Sequence, residues 1–348
     1  MVSGMLVSGR IKMKVVLAYK NLKAANPVLS HSGLGVTAHH VELSLRAAGI
    51  PTEAWAVMDG YHLWKLLAER CGVTQVVMLA PYLDTPFTER LVRHFPNIHF
   101  AMTCHSNVGF LQADRHAVKL VREGLTLEQR APNFSVAGNS FKFCAWVEEA
   151  YGARCAFLPN LYYLESPDCP SRPLYRTATL RLGIFGATRV QKNIMSAAAA
   201  ALVIARQAAA EDTEIWVSSG REEGGLGVMA SVKEMISQIP RVRLVEAGWH
   251  GWREFRQLAG RMHLLLQPSY TESFNMVTAD GVAEGVASVV SSAIDWVPKY
   301  WQACPDTVLD IARVGRQLLR DPQAPADGYR ALQAHNHAGQ AAWQSFLA

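Results

Sequence analysis

The chain is most constrained by a rhythm of short apolar runs alternating with helix-period segments, which holds along its length and stops once. The runs of the first half are KVVLAY (14–19), EAWAV (53–57), QVVMLA (75–80), IHFAMT (98–103) and CAFLP (155–159). Each is too short for a helix and apolar on consecutive residues, as a strand buried on both faces must be. Between them lie helical patterns, among them 36–48 and FKFCAWVEEAYG behind a candidate N-cap, Ser140. The rhythm breaks at PNLYYLESPDCPSRPLYRTAT (159–179), where four prolines mark a linker. It restarts with LRLGIFG (180–186), EIWVSSG (214–220), VRLVEAG (242–248), MHLLLQP (262–268) and ASVVSS (287–292). Strands alternating with helices predict a parallel sheet covered on both faces, and here they predict two. At 348 residues the chain also exceeds the size of one core. The expected domains are 13–165 and 180–325, joined by a linker over 166–179 and followed by a helical segment, 326–348.

Composition narrows the class. Half the residues are apolar, enough for two cores, yet no window reaches about 18 uninterrupted apolar residues. The longest candidate, MSAAAAALVIAR (195–206), reads as a buried helix. The first twelve residues are too short and too weakly apolar for a signal peptide, and are expected to be disordered, with Met13 as a possible start. Six cysteines (Cys71, Cys104, Cys144, Cys155, Cys169 and Cys304) form no C-x-x-C pair and read as reduced, mostly buried thiols of a cytoplasmic protein. A net charge of +5 permits an anionic ligand, a membrane surface or nucleic acid and requires none. The sequence has no D-x-D, H-E-x-x-H or EF-hand pattern, so no metal site is expected. Nor does it carry a Walker loop or a clean G-x-G-x-x-G, which counts against an NTPase and an NAD enzyme.

In doubly wound domains the ligand crevice lies at the carboxyl ends of the strands, and two such domains share a cleft. The candidate residues follow these ends. GIFGATRVQKN (183–193) leaves a strand with Gly186 and offers Arg189 and Lys192 before a helix. Two cations beside a helix amino terminus suit a diphosphate, although a solvated basic loop has the same composition. LLLQPSYTESFNMVTADGVAEGVASVVSS (264–292) places Glu272 in a polar loop and Asp280 eight residues on. The amides of Ser273, Phe274 and Asn275 would face an anion from the helix start. Eight helical residues span about 12 Å, the reach from a sugar phosphate to a ribose; two helix-capping acids are the structural alternative. In the first domain Gly33 and Gly35 fall in the expected loop after the first strand, where a bare backbone can approach a ligand or simply turn. His105 follows the strand IHFAMT and is either an active-site or a structural histidine. His31, His39 and His40 have no ligand spacing, and the last two read as helix-face residues. REEGGLG (221–227) reads as a flexible loop, and Trp249 or His250 in GWHGWREF either flanks a nucleobase or packs.

PSYTESFNMVTADGVAEG resembles the donor-binding E-x7-E signature of family-four retaining glycosyltransferases. FGATRVQKN resembles their phosphate-binding Arg/Lys loop and FLPNLY the end of their first domain, so the resemblance runs in order along nearly the whole chain. One departure is Asp280 in place of the second glutamate, one methylene shorter; a glutamate at this position is therefore expected to be tolerated. The resemblance implies an α/β GT-B architecture of two doubly wound Rossmann-like domains facing a cleft, with the last helix crossing back to the first domain. It implies a nucleotide-diphosphate sugar as donor substrate, no cofactor, no metal, and retention by front-face substitution. Glu272 would hold hydroxyls of the transferred sugar, Asp280 the ribose, and His105 would stand near the donor sugar. Arg189, Lys192 and the 273–275 amides would neutralise the diphosphate. The acceptor would be a cell-envelope glycan or lipid, or a hydroxymethylated DNA base as in some phage-encoded transferases. A phosphorylase or nucleotide-sugar epimerase would use the same cleft, and an inactive carbohydrate-binding subunit the same fold.

Overall fold

The computed structural model describes residues 14–21, 33–80, 83–171 and 178–348; the expected leader, His31 and part of the linker lie outside them. The first domain runs β1 (Val15–Lys20), α1 (Gly33–Ala47), β2 (Thr52–Val57), α2 (Gly60–Glu69), β3 (Gln75–Met78), α3 (Thr85–His94), β4 (His99–Cys104), α4 (Val108–Leu111), α5 (Arg115–Glu128), β5 (Phe134–Gly138), α6 (Phe141–Tyr151) and β6 (Ala156–Phe157). The second runs β7 (Thr179–Ile184), α7 (Ile194–Gln207), β8 (Asp212–Val217), α8 (Val228–Ile236), β9 (Val242–Glu246), α9 (Trp252–Ala259), β10 (Leu264–Gln267), α10 (Met276–Ala283), β11 (Ser288–Val290) and α11 (Val308–Arg320). A long α12 (Ala324–Leu347) ends the chain.

Both sheets are parallel throughout, with order β2-β1-β3-β4-β5-β6 in the first and β11-β10-β7-β8-β9 in the second. Central strands are apolar on consecutive residues because helices cover both faces: Val15, Val16, Leu17 and Ala18 of β1 are all fully buried. Helix starts follow their caps. Asp59, Asp84 and Asp114 accept from the amides of His62, Phe87 and Ala117 at 2.8, 2.7 and 2.9 Å. Strand order reverses between β1 and β3 in one sheet and between β7 and β10 in the other, which places a ligand crevice beside each.

Two sequence expectations are corrected. The α1 helix begins at Gly33, so Gly33 and Gly35 lie in its first turn and not in a loop. Ser140 does stand at the N-cap of α6, but its hydroxyl donates to Asn107 Oδ1 at 3.0 Å and makes no cap bond.

The domains are tied at their backs. Tyr329 and Leu332, early in α12, belong to the second-domain core, while Trp343 and Leu347, near its end, pack with Val15, Leu17 and Leu45 of the first. Asn336 between them clamps the crossover segment, accepting from Tyr162 N at 2.8 Å and donating to Tyr162 O at 2.6 Å.

Candidate functional site

The phosphate-type loop leaves β7 through Gly186, whose φ of +119° is open to glycine and strained for other residues. After it, Thr188 and Arg189 lead into a short 3-10 turn, Val190–Lys192. Asn193, left-handed at φ 54°, pins that turn by donating to Pro268 O and Pro305 O at 3.1 and 2.8 Å. Gln267 at the end of β10 donates to Phe185 O at 3.1 Å, so the two strands flanking the switch point present their loops together.

Glu272 lies on the second of these loops. Its Oε1 accepts from Lys192 Nζ at 2.6 Å and from Asn275 Nδ2 at 3.0 Å. The Asn275 side-chain oxygen caps α10 by accepting from Thr278 N at 2.9 Å. Just before α10, the amides of Ser273, Phe274 and Asn275 donate to no acceptor among the described residues. The Phe274 side chain points elsewhere: it is buried, stacked on Trp296 at 5.3 Å and tilted on His335 at 5.1 Å. Its side chain is not available to a ligand.

Asp280 is 2% exposed, and its Oδ1 accepts from Tyr162 Oη at 2.7 Å and Trp252 Nε1 at 2.9 Å. Burial pushes its carboxyl up to about 7, against the two donors and the Arg256 charge. Tyr162 stacks on His40 at 3.9 Å, and Trp252 meets His40 edge-on at 4.7 Å. His40 is thus an interdomain packing residue of α1, held neutral by burial, which pulls it down to about 3.

Across the cleft, His105 follows the end of β4. Asn139, just past β5, brings its Nδ2 within 3.2 Å of His105 Nδ1, 3.3 Å of Asn160 Oδ1 and 3.2 Å of Ser273 Oγ. The other ring nitrogen, Nε2, is buried without a partner among the described residues. Burial pulls His105 down to about 4, so it lines the cleft as a neutral ring and not as a cation. Asn107 completes the seam by donating to Glu272 O at 2.6 Å.

Two adjoining cavities result. One of about 510 Å³ is lined by His105, Ser273, Asn275 and Glu272; one of about 200 Å³ by Gly186, Trp249, His250 and Asp280. Gly33, Arg189 and Lys192 line both, which makes them one continuous cleft. Gly35 and Phe274 line neither.

Sequence reasoning missed Asn107, Asn139, Arg221 and Glu223. The REEGGLG segment is no loose loop, because a parallel bridge joins Glu222 to Thr188. Arg189 and Arg221 both pair with the Glu223 carboxylate, while the Arg221 guanidinium lies 4.9 Å over the Trp249 ring and that of Arg189 5.1 Å over Phe110. Among the described residues no group of three or more His, Cys, Asp or Glu could hold a metal, and no helix is long and apolar enough to cross a membrane.

No protein-family model matches the sequence, and comparison with curated proteins finds no match. Solved structures do match. An S. aureus TarM variant in complex with Fondaparinux, alpha-GlcNAc-glycerol and UDP aligns with a TM-score of 0.59 at 12% identity, over 83% of this chain and 58% of TarM. The chain therefore spans little more than half the length of that protein. Sucrose-phosphate synthase from Thermosynechococcus elongatus aligns at 0.65 and 14% identity, over 96% of this chain and 98% of its own. Anabaena HepE in complex with UDP-glucose gives 0.62 and 14%, over 96% and 99%. At these identities the likeness is one of fold. The chain has the GT-B architecture: two doubly wound Rossmann-like domains facing a cleft.

Proposed function

We propose that this protein is a glycosyltransferase that moves a sugar from a nucleotide-diphosphate sugar to an acceptor hydroxyl with retention and without a metal ion. The observation that carries this reading is the convergence at the β7/β10 switch point: Arg189, Lys192 and the unsatisfied amides of 273–275 gather where a diphosphate would lie, with Glu272 beside them. In the reaction the bond between the anomeric carbon and the diphosphate breaks, leaving negative charge on the phosphate. The acceptor oxygen bonds that carbon on the same face, and its proton passes to the leaving phosphate. Arg189, Lys192 and the amides meet the growing charge; each such preorganised donor is worth roughly 3 kcal/mol. Glu272 holds hydroxyls of the transferred sugar, and neutral His105 stands near the same sugar from the facing domain. The smaller cavity, with Asp280 at its base and Trp249 at its rim, takes the nucleoside.

UDP in the TarM complex and UDP-glucose in the HepE complex make a uridine donor the first candidate. The acceptor enters from the first-domain side, past Ser106, Phe110, Asp114 and His116. A glycan or lipid hydroxyl needs only that opening, whereas a hydroxymethylated base in duplex DNA would have to be flipped outward.

A panel of nucleotide sugars scored by thermal shift, followed by transfer assays on glycan extracts and hydroxymethylated DNA, tests the proposal. Stabilisation by a nucleotide sugar and transfer that persists in EDTA support it. Preference for free phosphate with a sugar phosphate would reassign the cleft to a phosphorylase, and donor turnover without acceptor to an epimerase.

A further inference from the structure

The 221–227 loop is built onto the phosphate loop. Thr188, 1% exposed, donates its amide to Arg221 O at 3.0 Å and accepts from Glu223 N at 2.8 Å. Gly225 packs so closely on the Thr188 backbone that a Cβ there would lie 2.7 Å from Thr188 O. The Glu223 backbone is therefore fixed, and its carboxylate is aimed into the cleft by design of the chain. Each carboxylate oxygen faces one guanidinium: Oε2 bonds Arg189 through Nε and Nη2, and Oε1 bonds Arg221 through Nε and Nη2. Two oxygens of one anion, each gripped by an arginine fork, is also how a phosphate group is bound.

Resting on the donor reading above, we infer that Glu223 stands in for the donor's diphosphate when the cleft is empty, and that Arg221 is a third cation for that diphosphate. Three cations, Arg189, Lys192 and Arg221, here share two carboxylates, Glu223 and Glu272. A nucleoside diphosphate brings its own negative charge and displaces Glu223, whose side chain is 28% exposed and has solvent to turn into. Arg221 stays in place after the exchange because the Trp249 ring supports it, and it lines both cavities, where a diphosphate would bridge nucleoside and sugar. Binding then includes the cost of breaking the Glu223 pairs, which keeps the empty arginines ordered and sets the donor affinity below what the cations alone would give.

The two possible roles of Glu223 differ in sign. A carboxylate that merely positions the arginines would strengthen diphosphate binding; one that competes for them weakens it. Calorimetric titration of the full chain with uridine, guanosine and adenosine diphosphates separates these. Glu223→Gln should lower the Kd of the preferred diphosphate about tenfold, equivalent to about 1.4 kcal/mol, and Arg221→Ala should raise it by at least the same factor. Should the glutamine variant fail to melt cooperatively, Glu223→Asp, which draws the carboxylate back by one methylene, decides the matter with a smaller gain in the same direction. An unchanged or raised Kd in the folded Glu223 variant overturns the inference and leaves the donor reading standing. If the unaltered protein binds no nucleoside diphosphate, the donor reading fails and this inference with it.

Discussion

Asp280 combines near-complete burial with two hydrogen-bond donors, and burial wins: its carboxyl keeps its proton up to about pH 7. The unfolded chain loses that proton near pH 4. The stability Asp280 contributes is therefore fully present below pH 4 and is lost as pH rises to about 7. His40 and His105, pulled down to about 3 and 4, act oppositely, losing stability as pH falls below about 6.5. The unaltered protein shows the mixture, so the contrast with Asp280→Asn isolates one group. Relative to the unaltered chain, the asparagine variant should gain a few kcal/mol between pH 4 and 7, at about 1.4 kcal/mol per unit. Denaturant melts at several pH values measure this; parallel curves would mean Asp280 is not held neutral. The same burial argues against the sequence-based expectation that glutamate is tolerated here, because one more methylene against Tyr162 and Trp252 costs about 1–3 kcal/mol. On the proposed reading Arg189 and Lys192 face charge that grows in the transition state, so Arg189→Ala and Lys192→Ala should each cut kcat by about 100-fold with the melting curve retained. Near-normal turnover in both variants would reduce the loop to a surface feature.

At the scale of elements, what was legible depended on whether a signal was local. Buried parallel strands announce themselves as apolar runs, and ten of the eleven among the described residues were found because runs such as LRLGIF need no partner to be recognised. The exception is β5, FSVAG, whose serine, alanine and glycine mask a strand paired to β4 and β6 on either side. Missing β5 hid Asn139, which stands one residue past its end. Glu272, Arg189 and Lys192 were found because each lies in a short local motif, the E-x7-E stretch or the loop GIFGATRVQKN. Arg221 and Glu223, four and six residues past β8, were not, because REEGGLG read as a flexible loop and its pairing with Thr188, more than thirty residues away, leaves no local signal. The same pairing supplies a test. Gly225→Ala places a methyl against the Thr188 backbone and should push the two loops apart. Donor affinity should fall at least tenfold while the far-UV spectrum is kept; an unchanged Kd would mean the loops need not touch.

At the scale of the whole molecule, two sheets and one helix set where the cleft lies. The sequence rhythm predicted two domains and their crevices, but not the seam between them, which is made by side chains meeting across the cleft. Asn107 reaches Glu272 O and Asn139 reaches Ser273 Oγ, while Lys142 donates to Ser292 O and Ala293 O at 3.0 and 3.3 Å. The first domain thereby holds the Glu272 loop from one side of the cleft as Lys192 holds it from the other. Glu272 is the group on which both domains converge, and it is assigned to the sugar and not to the diphosphate. The most direct measurement is therefore a paired one on Glu272→Ala: turnover of the donor, and calorimetric affinity for the free nucleoside diphosphate. The account predicts a fall in kcat of about 100-fold or more, with diphosphate affinity retained or tightened because Lys192 loses its carboxylate partner. Loss of diphosphate binding in a folded Glu272→Ala protein, or turnover that survives the substitution, would contradict it.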